Sequence, residues 1–96
     1  MRYNMTYSEI KKILDEVIKE INELLPADNQ LTPKVSELLY GKNSKLDSVA
    51  LVNFILILEE KIQMEYSHNI NIFDFFSKNE NYDITINQLV EFILNE

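Results

Sequence analysis

Asp47 and Ser48 stand immediately before a long apolar stretch, Val49 to Leu58, which closes on two adjacent carboxylates, Glu59 and Glu60. A short polar pair ahead of such a run marks a helix start, where unbonded N–H groups and the positive end of the helix dipole favour an anion. A hydroxyl held there is suited to carry a phosphate ester. Ser48 is therefore the first candidate for chemistry, as an attachment point, with plain helix capping as the alternative. Nucleophilic catalysis has less support. Ser48 lies between Leu46 and Ala50 rather than the glycines of a nucleophile elbow, and the single histidine, His68, falls in a predicted loop. There is no cysteine and no histidine cluster suited to zinc. Asn79, Asn81, Asp83 and Thr85 offer oxygens at alternate positions, but an EF-hand loop needs Gly at its sixth position and Glu at its twelfth. Those positions hold Ile84 and Val90, so the calcium pattern fails. The chain is expected not to be an enzyme.

The elements that must position Ser48 follow from periodicity. Thr6-Tyr7-Ser8-Glu9 is a capping box, and apolar residues from Ile10 to Leu25, at offsets of three and four, predict a helix over 7–25 that Pro26 ends. Residues 26–47 form a long connection. Thr32-Pro33 predicts one helical turn inside it, pinned by Val35, Leu38 and Leu39 and stopped by Gly41. Asp47 is the expected N-cap of a second helix over 48–64, with Leu46 stapling against Leu51. Leu51, Phe54, Ile55, Leu58 and Ile62 make its core face. Val49, Val52 and Leu56 spill onto a second face, which either joins the core or meets a partner. A short third helix is expected at 72–77, packing its phenylalanines. Thr85-Ile86-Asn87-Gln88 is a second capping box and opens a last helix over 85–95, with Ile86, Leu89, Val90 and Ile93 inward. The fold class expected is all-α: one domain, a four-helix bundle of three longer helices and one short one, with a long loop between the first two long helices.

Composition narrows the function class. At 96 residues and 46% hydrophobic content the chain can build one modest core, and a single Gly with two Pro argues against a turn-rich β fold. The net charge of −7 is concentrated after residue 46, while 26–45 is slightly basic. An acidic surface repels nucleic-acid backbones and anionic headgroups, and favours basic protein surfaces. No apolar run approaches the roughly 20 residues needed to span a bilayer. A cytoplasmic monomer without nucleic-acid or membrane partners is expected.

Leu46-Asp47-Ser48-Val49, Val52, Leu58, Glu59 and Glu60 resemble, without a gap, the signature of the acyl carrier protein family: Asp-Ser-Leu followed by an amphipathic helix ending in Leu-Glu-Glu. The likeness extends over essentially all 96 residues, through the first helix, the long connection, the short third helix and the Thr-initiated last one. It implies a carrier with 4'-phosphopantetheine on Ser48, attached from coenzyme A by a phosphopantetheinyl transferase. It also implies acyl cargo held as thioesters for a loading ligase or transferase and downstream enzymes. Asp47, Val49, Leu56, Glu59 and Glu60 become the expected partner contacts. Leu58, Ile62, Phe73 and Phe76 either shelter a cargo chain or fill the core. The chain departs from carriers of fatty-acid synthesis in having Ala50 and Asn53 where these usually have acidic residues, two and five positions after the serine. The approach loop is also unusually basic, and Lys45 is expected to neutralise the prosthetic phosphate. These departures suggest a dedicated carrier of a lipid, polyketide-like or other secondary pathway. The rival reading is an acidic helical interaction module in which Ser48 only caps its helix; a metal-binding regulatory domain ranks third.

Overall fold

Four helices and one two-stranded sheet make up the computed structural model, which describes residues 5–96. In chain order they are α1 (Tyr7–Asn22), a 3-10 turn (Ala27–Asn29), β1 (Leu38–Tyr40), α2 (Ser48–Tyr66), α3 (Ile72–Lys78), β2 (Ile84–Thr85) and α4 (Ile86–Leu94). This is the all-α small bundle expected. α1 and α4 each begin on the capping box read from the sequence, with Thr6 accepting from the Glu9 N–H at 3.2 Å and Thr85 from the Gln88 N–H at 3.3 Å. The core collects Ile10, Leu14 and Val17 of α1, Phe54, Leu58 and Ile62 of α2, and Leu89 and Val90 of α4. Among the described residues no polar or charged side chain is buried, so the interior is held by apolar packing alone. No helix of the described residues is long and apolar enough to cross a membrane.

α1 ends at Asn22, three residues short of the expected 25. The Asn22 amide leaves the helix surface to clamp the loop: its Nδ2 donates to the Leu31 carbonyl at 2.9 Å and its Oδ1 accepts from the Leu31 N–H at 2.7 Å. The next residues close on i−3 carbonyls, which tightens the chain out of helix and leaves Leu24 69% exposed instead of in the stripe. The boundaries of α2, α3 and α4 fall within two residues of expectation, α2 running to Tyr66, where Ser67 closes it in the left-handed region.

The helical turn expected after Thr32-Pro33 does not form. The Thr32 N–H and hydroxyl both donate to Glu37 Oε2, at 2.7 and 2.9 Å, which fixes an open loop, and the Glu37 N–H closes a tight turn on the Lys34 carbonyl. The chain then runs into β1, antiparallel to β2, with Leu38 opposite Thr85 and Tyr40 opposite Ile84. Two residues of β1 span one step of β2, so Leu39 is a bulge that drops fully into the core. Val35 is exposed rather than a core pin. Gly41 ends a strand instead of a helix. Its φ of +127° suits glycine alone, and a Cβ there would collide with the Asp83 side chain.

Candidate functional site

The geometry at the start of α2 separates two roles that share one dipeptide. Asp47 Oδ1 accepts the Ala50 N–H at 2.8 Å and the Asp47 carbonyl accepts the Leu51 N–H at 2.9 Å, so Asp47 is the N-cap. Ser48 is the first helical residue, exposed, and its hydroxyl takes no part in the cap. Leu46, half-buried, and Leu51, buried, sit where a hydrophobic staple requires them. The Ser48 and Val49 amides belong to the first turn, which no carbonyl of the helix can satisfy, at the positive end of a 19-residue dipole.

Ser48 opens onto a cleft of about 700 Å³. One wall is the start of α2, with Asp47, Ser48 and Val52. The other is brought in by the β1–β2 pairing: Tyr40 at the end of β1, Lys42 just after it, and Tyr82 before β2. Lys42 and Tyr82 are solvent-exposed. Lys45, expected to serve a phosphate at Ser48, is committed elsewhere. Its Nζ donates to the Gln30 carbonyl at 3.1 Å and pairs with Glu37 Oε2 at 3.3 Å, tying two ends of the long loop together. The cation facing the cleft is Lys42. Burial alone would raise the Glu37 carboxyl, but the bonds from Thr32 and Lys45 outweigh it and hold its pKa below the usual value.

The remaining candidates divide. Val49, Val52 and Leu56 are 71, 40 and 57% exposed on one face of α2, so the second face read from the sequence is a surface stripe and not core. Glu60 is exposed at the end of that stripe. Glu59 is not a free surface carboxylate: its Oε2 accepts the Ile72 N–H at 2.8 Å and the Phe73 N–H at 3.3 Å, covering the first turn of α3. Leu58, Ile62 and Phe76 are 0, 1 and 4% exposed within the packed core, whereas Phe73 is 56% exposed, so the four do not come together around one space. His68 lies half-buried in the loop after α2. The described residues contain no group of three His, Cys, Asp or Glu positioned for a metal ion.

Tyr40 and Tyr82 escaped the sequence reading. Tyr82 lies in the Asn-rich segment, and no local pattern announces that two short strands more than 40 residues apart pair and set these rings beside Ser48. No model of a known protein family, no curated protein and no solved structure matches the chain.

Proposed function

We propose that the chain is an acyl carrier: Ser48 bears 4'-phosphopantetheine, and the bundle presents thioester-linked cargo to partner enzymes. One observation carries the reading. The cap of α2 is made by Asp47, which leaves the Ser48 hydroxyl exposed, unbonded and at the positive end of a long helix. A serine kept only for capping would hold the bond that Asp47 holds, so the rival interaction-module reading loses the role it assigns to Ser48.

The surroundings fit the group. Attachment forms one phosphodiester at Ser48 Oγ as the phosphoanhydride of coenzyme A breaks, with 3',5'-ADP leaving and the hydroxyl proton passing to a base of the transferase. The Ser48 and Val49 amides and Lys42 would hold the phosphate, and Tyr40 and Tyr82 flank the way out. The arm supplies the thiol that a chain without cysteine lacks, on which acyl groups ride as thioesters. The protein's own contribution is placement, since catalysis belongs to its partners. Val49, Val52 and Leu56, with Glu60 beyond them, offer those partners an apolar stripe with an acidic end, served by exposed side chains that cost the fold little to present. Localisation in the cytoplasm and service to a dedicated pathway belong to the same proposal.

Incubating the apo protein with coenzyme A, Mg²⁺ and a broad-specificity phosphopantetheinyl transferase, followed by intact mass, tests it. Wild type gains one phosphopantetheinyl group and Ser48→Ala gains none. An unchanged wild-type mass, or addition that survives Ser48→Ala, sinks the reading.

A further inference from the structure

A second cleft, of about 670 Å³, adjoins the first: Tyr82 and Asp83 line both. Ser48 lines only the first, so an arm anchored there reaches the second by passing Tyr82. The second cleft is walled by Phe75 and Phe92, stacked with centroids 4.4 Å apart and planes 19° from parallel, and rimmed by the side-chain amides of Asn79, Gln88 and Asn95. Each amide has one atom fixed by the protein. Asn79 Nδ2 donates to the Phe75 carbonyl at 2.8 Å, Asn95 Nδ2 to the Glu91 carbonyl at 2.8 Å, and Gln88 Oε1 accepts the Thr85 N–H at 2.8 Å. The other atom of each, two carbonyl oxygens and one NH₂, remains available on a side chain already held in place.

Resting on the carrier reading, we propose that cargo on the Ser48 arm lies in this outer cleft rather than in the core, and that it is a hydroxyaryl acyl group. The interior offers a saturated chain little: Leu58, Ile62 and Phe76 are packed to near-zero exposure, and prising them apart would cost contacts throughout the core. In the outer cleft a saturated chain would strip water from three amides without replacing their hydrogen bonds. A flat ring gains stacking from Phe92 and Tyr82, and a ring hydroxyl both donates and accepts, matching the free amide oxygens and NH₂.

The transferase that loads coenzyme A also separates this proposal from the one it rests on. Apo protein is loaded from 4-hydroxybenzoyl-coenzyme A or from octanoyl-coenzyme A, and loading at Ser48 is verified by intact mass. Isotope-edited NMR then reads the cargo's contacts. The expected result is cross-peaks from the hydroxybenzoyl ring to Tyr82 and Phe92, with shifted side-chain amides at Asn79, Gln88 and Asn95, and no such cross-peaks from the octanoyl chain. Asn95 is exposed and lines only the outer cleft, so Asn95→Ala should lose the amide shift at that position and weaken the ring contacts while still loading fully. Full loading with no ring contact in the outer cleft, ring contacts to Ile62 and Phe76 instead, or equal octanoyl contacts overturns the cargo proposal alone. Failure of the hydroxybenzoyl ester alone to load likewise overturns only the cargo proposal, and failure of both esters to load at Ser48 overturns both.

Discussion

At the scale of single residues, Asp47 makes the cap of α2 and the Ser48 hydroxyl takes no part in it. Removing the cap with Asp47→Ala should cost about 1 kcal/mol of unfolding free energy in urea. Ser48→Ala, at an exposed position that makes no cap bond, should stay within about 0.5 kcal/mol of wild type. A Ser48→Ala loss as large as that of Asp47→Ala would show that the hydroxyl supports the helix after all. Glu37 gives a pH signature. Its folded pKa lies below the ordinary value, near 4.5, so its contribution to stability is complete above that pH and is lost as pH falls through the lower, folded value. Urea midpoints should therefore decline in acid for wild type, and Glu37→Gln should flatten that part of the decline; parallel curves for the two proteins would count against it.

At the scale of elements, the paired carboxylates Glu59 and Glu60 do different work although the sequence shows them as equals. Glu59 joins α2 to α3 through two backbone amides, so Glu59→Ala should lower stability by about 1–2 kcal/mol and release hydrogen-exchange protection at Ile72 and Phe73. Glu60→Lys should leave both unchanged and slow loading by a basic partner enzyme at low salt, an effect that fades as salt rises. α1 and α4 were legible because each carries a 3.6-residue stripe opened by a capping box, and α2 because a capping side chain opens its long apolar run. Asp47 was readable as an N-cap for the same reason. The segment from Thr32 to Gly41 was not. Its Thr-Pro signal is also what a turn uses, and the deciding contacts, Glu37 to Lys45 and β1 to β2, join residues too far apart for any local pattern to register. The division of Val49, Val52 and Leu56 from the core was likewise beyond periodicity, because a helix apolar on two faces does not say which face meets water.

At the scale of the whole molecule, the site is assembled from both halves of the chain. Gly41 and Asp83 meet where the two halves close on each other, and Gly41→Ala adds a strained φ to a collision with Asp83. Its expected cost is about 1–3 kcal/mol in urea unfolding. It should also slow loading at Ser48, since the cleft wall it disturbs faces that residue. A variant as stable and as readily loaded as wild type would show that the two loops do not need this close approach.

The pairing of Leu38 with Thr85 also sets an order of events in the life of the protein. Ser48 and α2 are translated before the wall carrying Tyr82 and the strand that draws it in, which lie more than 30 residues further along the chain than Ser48. Closing a loop of that length is among the slower and later steps of folding, because its entropy is spent before its contacts repay it. On the proposed function, a transferase that recognises the finished cleft would meet its substrate only after the C-terminal helix has docked, and the fold would keep coenzyme A from being spent on unfinished chains.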